Sequence, residues 1–220
     1  MAFFMMKQHQ KMLEGIKNII FDYGNVIFEI DFPRAQKAFE KLGIKNVESF
    51  FAHKGHSSLF DQFETGTISA AEFRDGIRKA ADNDALSDQQ IDDAWNALLI
   101  GVMDGNHELL LKLKEKYRTF LLSNINEIHL ARVHQHLKEK FDLEGNEGFF
   151  EKIYYSHLVG KRKPSPEIFR QVLDENNLKA EETLFIDDSP QHLKPAAAMG
   201  IRTYLLTYPD SIRKVFEELL

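Results

Sequence analysis

Ile19-Ile20-Phe21-Asp22-Tyr23-Gly24-Asn25-Val26 is a short apolar run that stops on a carboxylate and then turns on glycine and asparagine. Apolar runs of this length, bounded by turn formers, read as buried strands. The pattern returns at Thr119-Phe120-Leu121-Leu122 before Ser123, at Ile153-Tyr154-Tyr155 before Ser156, at Leu184-Phe185-Ile186 before Asp187-Asp188, and at Thr203-Tyr204-Leu205-Leu206. Helix-period stretches at 107–117, 127–140, 166–177 and 190–199 separate or precede these runs. In the 166–177 stretch Ile168, Phe169, Val172 and Leu173 make one apolar face, Ser165 suits the N-cap and Pro166 suits the first turn. Strands alternating with helices predict an α/β, Rossmann-like parallel sheet with helices on both faces. Ligands bind such sheets beyond the carboxyl ends of the strands. Asp22, Ser123 and the Asp187-Asp188 pair fall at those ends.

The alternation breaks between about residues 30 and 104. Helical signals dominate there, at 33–42, 50–63, 70–81 and 88–99, and no strand-like run is evident. The expected organisation is therefore a core of residues 16–30 and 105–220, a helical cap of 31–104 inserted after the first strand, and an N-terminal extension of 1–15. A cap at that point of the chain would lie over the strand ends and exclude water from them.

Composition narrows the chemistry. The 220 residues are enough for one domain with an inserted smaller one. With no cysteine, disulfides, thiolate nucleophiles and cysteine-ligated metals are excluded, so any metal is held by oxygen or imidazole. A formal charge of -6 offers no basic footprint for nucleic acid. The apolar run Ala2-Phe3-Phe4-Met5-Met6 is too short for a signal-peptide core or a membrane span. A cytoplasmic protein acting on a small molecule, with no nucleic-acid or membrane partner, is the expectation.

Singly, each polar residue at a strand end has an ordinary explanation. Asp22 reads equally well as a turn former, Asp187-Asp188-Ser189-Pro190 as a helix start, Ser123-Asn124 as a polar turn, and Lys163 as part of a solvated basic loop. Jointly those explanations are strained, because each must recur at a successive strand end or before a helix. Two adjacent carboxylates repel unless a cation or solvent offsets them, which points to a hard metal with oxygen ligands.

Four stretches together carry a family resemblance. Phe21-Asp22-Tyr23-Gly24-Asn25-Val26, then Leu121-Leu122-Ser123-Asn124, then Arg162-Lys163-Pro164 with Pro166-Glu167-Ile168-Phe169, and finally Phe185-Ile186-Asp187-Asp188 followed by Ala198-Met199-Gly200-Ile201 match, in order, the motifs of the haloacid dehalogenase superfamily. The chain resembles these hydrolases over residues 16–220, and the resemblance implies a C1-type cap. It also implies a Mg²⁺-dependent phosphatase. Asp22 would attack phosphorus and form an aspartyl phosphate that water then hydrolyses. Mg²⁺ would be held by Asp22, the backbone carbonyl of Gly24 and Asp188, with Asp187 assisting. The Ser123 hydroxyl and the Asn124 backbone N–H would hold phosphoryl oxygens, and Lys163 would neutralise both the nucleophile and the transferring group.

One position departs from the usual pattern. Most phosphatases of the family carry an acid–base aspartate two residues after the nucleophile, and here Gly24 stands there. The form Phe-Asp-x-Gly-Asn-Val is similar to that of bacterial α-D-glucose-1-phosphate phosphatases, whose anomeric leaving group is easier to expel than a primary alkoxide. His53, Lys54 and His56 are candidate substrate contacts from the cap, and a histidine there is one source of the missing acid. Phe60, Phe63, Phe73 and Trp95 read as cap core. A sugar phosphate is the expected substrate. A metal-independent 2-haloacid dehalogenase, or a catalytically weak protein that binds a phosphorylated ligand, remain the alternatives.

Overall fold

The computed structural model describes residues 12–45 and 59–216. In chain order its elements are β1 (Asn18–Phe21), β2 (Phe28–Ile30), α1 (Phe32–Lys41), α2 (Leu59–Glu64), α3 (Ala70–Ala81), α4 (Asp88–Asn96), β3 (Leu99–Val102), α5 (Asn106–Lys114), β4 (Arg118–Ser123) and α6 (Glu127–Phe141). There follow β5 (Lys152–Tyr155), α7 (Ser156–Val159), α8 (Pro166–Glu175), β6 (Thr183–Asp187), α9 (Pro190–Ala198), β7 (Arg202–Leu205) and α10 (Ile212–Val215). Among the described residues no helix is long and apolar enough to cross a membrane.

Five strands form one parallel sheet in the order β5-β4-β1-β6-β7, with β1 at its centre. All five runs expected from the sequence are in it. Their side chains alternate between two apolar layers, as the two-residue period of a strand requires. Ile19, Phe21, Leu121, Leu184 and Ile186 belong to one buried cluster, and Ile20, Phe120, Leu122 and Phe185 to the other. Helices cover both faces. On the second face α8 buries Ile168, Phe169, Val172 and Leu173, the stripe its sequence predicts, behind an N-cap at Ser165. Met12 and Leu13 pack against the first cluster, and Arg202 donates to the carbonyls of Met12 and Glu14.

The insertion has its own core. Phe39, Phe60, Phe63, Phe73, Ile77, Ile91 and Trp95 gather in a separate buried cluster, with the Phe63 and Phe73 rings stacked 4.4 Å apart. The expectation that these aromatics serve packing holds. Both α3 and α4 start on a capping box, Ser69 with Glu72 and Ser87 with Gln90, which satisfies backbone N–H groups that a helix start leaves open.

One expectation is corrected. Residues 30–104 do hold a strand: Leu99–Val102 pairs antiparallel with Phe28–Ile30, making a two-stranded ribbon where the chain leaves and re-enters the core. The run Leu98-Leu99-Ile100-Gly101-Val102 was absorbed into the preceding helical signal because a short apolar stretch fits either period. Only its partner on the far side of the insertion selects the strand.

Candidate active site

The central strand delivers Asp22 to the carboxyl edge of the sheet. Phe21 is level with Leu121 of β4 and Ile186 of β6, and the Asp22 N–H donates to the Ile186 carbonyl at 2.9 Å. Asp22 therefore emerges beside Asp187, the last residue of β6, and near Ser123, the last residue of β4. Beyond Asp22 the chain turns sharply. The Tyr23 carbonyl accepts from the N–H groups of Ile27 and Phe28, and Asn106 clamps the turn from below by donating to the carbonyls of Val26 and Ile27.

Asn25 makes that turn possible and ties it to the site. Its φ of 55° lies in the left-handed region, which asparagine tolerates better than other residues with a side chain. Its Oδ1 accepts from the Ile30 N–H at 3.1 Å, and its Nδ2 donates to Asp188 Oδ2 at 3.1 Å. The amide thus fixes one carboxylate relative to the loop that carries another. From sequence Asn25 reads only as a turn former within the first motif, and its bond to Asp188 is not anticipated there.

Lys163 reaches the same place from the loop before α8. It is fully buried, with Nζ 2.6 Å from Asp22 Oδ1 and donating to Asp187 Oδ2 at 2.7 Å. Asn124 sets its backbone: Nδ2 donates to the Lys163 carbonyl at 2.8 Å, and Oδ1 accepts from the Lys163 N–H at 2.9 Å. This side-chain role of Asn124 was missed, since only its backbone N–H entered the sequence argument. His192, on the first turn of α9, was missed as well. Its Nδ1 lies 2.9 Å from Asp187 Oδ1, which also accepts from the Ser189 N–H at 2.8 Å. Both oxygens of Asp187 are therefore engaged by protein groups.

The carboxylates of Asp22, Asp187 and Asp188 each present an oxygen, all within 4.8 Å of one another. When ionised, three carboxylates against the one ammonium of Lys163 leave two negative charges. The electrostatics follow that imbalance. Burial, with repulsion from Asp187 and Asp188, pushes Asp22 up to about 6 against the opposing pull of Lys163. Burial and the neighbouring Asp187 raise Asp188 too. For Asp187 burial acts upward, but Lys163 and His192 more than offset it and hold the carboxyl below its usual range. Lys163 is raised, because Asp22 and Asp187 outweigh its burial. A hard dication with oxygen ligands fits this set: it matches the surplus charge and the donor type.

Gly24 lines a small cavity together with Ser123, Asn124 and Glu64, the last contributed by α2 of the insertion. The structure thus brings together Asp22, Gly24, Ser123, Asn124, Lys163, Asp187 and Asp188 at one edge of the sheet. His53, Lys54 and His56 lie outside the described residues. Glu64 was not anticipated, because nothing in its local sequence marks it as facing the core.

The sequence family described as haloacid dehalogenase-like hydrolase matches residues 16–200. D-ribitol-5-phosphate phosphatase of Bacteroides thetaiotaomicron is 30% identical over 191 residues, covering 86% of this chain and 91% of that protein. Among solved structures, the HAD family enzyme bt-2542 of Bacteroides thetaiotaomicron superposes with a TM-score of 0.84 at 40% identity, over 92% of this chain and 98% of that one. The same wild-type enzyme in complex with magnesium and inorganic phosphate superposes with a TM-score of 0.77, over 89% and 96% of the two chains.

Proposed function

Because the chain belongs to the haloacid dehalogenase-like hydrolases, we propose that it is a Mg²⁺-dependent phosphatase that removes phosphate from a small phosphorylated metabolite, a sugar or alditol phosphate, in the cytoplasm. The observation that carries this reading is the cluster of Asp22, Asp187 and Asp188, oxygens within 4.8 Å, with Lys163 bridging two of them. Its relative's D-ribitol 5-phosphate, an open-chain sugar alcohol phosphate, supports the substrate class.

In this reading Asp22 is the nucleophile. Its free carboxylate oxygen bonds to phosphorus as the ester P–O bond breaks, and water then displaces Asp22 from phosphorus, so one hard step becomes two easier ones. Lys163 holds the nucleophile ionised and stabilises charge on the equatorial oxygens, at a distance fixed before the substrate arrives. The Ser123 hydroxyl and the Asn124 N–H orient the phosphoryl group. Asp22, Asp188 and the Gly24 carbonyl would hold Mg²⁺, which supplies neutralising charge to the phosphoryl oxygens. Asp187, with both oxygens occupied, positions Lys163 and His192 rather than serving as a direct ligand. The insertion, as a cap over residues 31–104, shapes the pocket for the rest of the substrate.

A metal-independent dehalogenase gains nothing from Asp188, whose ionisation adds to the charge surplus. The test is phosphate release from D-ribitol 5-phosphate, hexose phosphates and p-nitrophenyl phosphate, with Mg²⁺ and after chelation. Release that needs Mg²⁺ is expected. Halide release from 2-chloropropionate that survives chelation would replace this reading with the dehalogenase, and tight ligand binding without turnover would replace it with the binding protein.

Asn25 provides a finer check on the metal ligands. Asn25→Gly keeps the left-handed backbone and removes the amide that holds Asp188, together with its bond from the Ile30 N–H. Loss of such a supporting bond typically costs 10- to 100-fold in metal affinity. The Mg²⁺ concentration for half-maximal activity is expected to rise by about that factor, with little change in rate at saturating Mg²⁺.

A further inference from the structure

Gly24 leaves the reaction without the usual carboxyl beside the nucleophile, yet an ester oxygen must still gain a proton and a water must still lose one. The cavity lined by Gly24, Ser123 and Asn124 holds three titratable side chains among the described residues: Tyr23, His129 and Glu64. Tyr23 is spent on the core: its hydroxyl lies 3.4 Å from Asn146 Oδ1, and burial raises it well above the usual phenol range. His129 is spent as well. Its Nε2 lies 3.1 Å from the Trp95 carbonyl and its Nδ1 3.2 Å from the Asn126 amide, the ring stacks on Trp95 at 4.3 Å, and burial pushes it down to about 4. A neutral ring whose one proton is shared with a backbone carbonyl is no donor.

Glu64 differs in each respect. Its Oε2 is buried and has no aligned hydrogen bond, although Arg162 Nη2 lies 3.0 Å away. The guanidinium of Arg162 is also paired with Asp61, one turn earlier on α2. The side chain as a whole keeps 20% exposure and lines the cavity that Gly24, Ser123 and Asn124 also line. Its place is enforced by backbone: at Gly66, φ +66°, any Cβ would sit 2.3 Å from the His157 carbonyl, so the turn after α2 is pressed against the core where only glycine fits. Burial pushes Glu64 up to about 7, with Lys163 drawing it down. The charged groups facing it are Arg162 and Lys163 from the loop before α8, and Asp61 from its own helix.

We infer that Glu64, reaching in from the insertion, is the proton-transfer group of this phosphatase and replaces the carboxyl absent at Gly24. This rests on the phosphatase reading above. In the first step the P–O bond to the substrate breaks as Asp22 bonds to phosphorus, and the leaving oxygen takes the Glu64 proton to give the alcohol. In the second, water bonds to phosphorus as the Asp22–P bond breaks. One water proton passes to the Glu64 carboxylate, the other stays on the phosphate, and the starting state returns. Carrying the carboxyl on the insertion makes proton transfer depend on that segment being seated over the substrate.

The test is Glu64→Gln, which keeps shape and removes the proton, followed by rapid mixing with Mg²⁺. p-Nitrophenolate leaves without protonation. Its burst is therefore expected at the wild-type rate, followed by steady turnover slowed about 10²- to 10⁴-fold, the usual worth of acid–base help. On D-ribitol 5-phosphate the first step itself is expected to slow by a comparable factor. Wild-type first-step rates on that substrate should fall as pH rises above about 7, where Glu64 loses its proton, and this limb should vanish in Glu64→Gln. Unchanged turnover on D-ribitol 5-phosphate, or a burst slowed equally for both leaving groups, overturns the inference. Should Glu64→Gln not fold, Glu64→Asp serves: the alkaline limb must persist at a lower rate, and its loss is equally fatal. A wild type that releases no phosphate from any substrate sinks the phosphatase reading instead, and the two failures are distinguishable.

Discussion

Asp22→Asn is expected to abolish phosphate release while leaving the fold intact. Asparagine keeps the shape of the side chain but cannot form the acyl phosphate, and removal of a covalent nucleophile typically lowers kcat by roughly 10⁴- to 10⁶-fold. Stability should change little, because two opposing effects accompany the swap. Lys163 loses one of its two partners, while the repulsion of Asp22 by Asp187 and Asp188 disappears. Rapid quenching of the wild type during turnover should trap a chain heavier by one phosphoryl group, with the mass on the peptide containing Asp22. Full turnover in Asp22→Asn, or a trapped phosphoryl group on another residue, would remove the proposed mechanism.

Lys163→Met should damage both rate and stability. The ammonium is fully buried between Asp22 and Asp187, and deleting one member of a buried ion pair leaves charge without compensation, at a cost of about 3–5 kcal/mol. Loss of preorganised charge at the phosphoryl group should slow turnover by a further factor of about 10²–10³. The pH dependence of the stability gap has a definite sign. Asp187 is held below its ordinary value of 3.8, so its contribution is present above that pH and is lost as pH falls through the lowered value. Lys163 is held above its ordinary 10.5, so its contribution is present below that pH and is lost as pH rises through the raised value. Asp22, the other partner of Lys163, is pushed up to about 6, so its pairing is lost as pH falls through that value, and the gap between wild type and Lys163→Met should therefore be widest between about 6 and 10.5 and close at either end. Urea denaturation across pH measures it directly, and added Mg²⁺ should narrow it. A gap independent of pH would mean that the lost stability comes from packing of the lysine stem.

Much of this was legible in the chain itself. Each strand of the parallel sheet announces itself as an apolar run, and four of the five runs end on a polar residue, because a strand buried on both faces needs apolar side chains throughout and the ligand-facing end needs polar ones. Asp22, Ser123, Asp187 and Asp188 were therefore readable from position alone, whereas Lys163, which by itself reads as part of a solvated basic loop, owed its place to the family resemblance. The residues that escaped are those whose role depends on another segment. Asn25 matters because Asp188 arrives 3.1 Å from its amide, and Asn124 because its side chain brackets the backbone of Lys163. His192 matters through Asp187, on which it closes from the next helix. The β3 strand escaped for the same reason, since its pairing partner lies across the whole insertion.

What the sequence determined alone is the alternation of strands and helices and the set of oxygen donors placed at the strand ends. Hydrophobic period and turn chemistry are local properties, written into consecutive residues. What only the tertiary structure decided is which carboxylate is free and which is occupied, and that Glu64, from a helix of the insertion, shares a cavity with Gly24. Those depend on burial and on charges brought close from distant segments, and neither exists until the chain has folded.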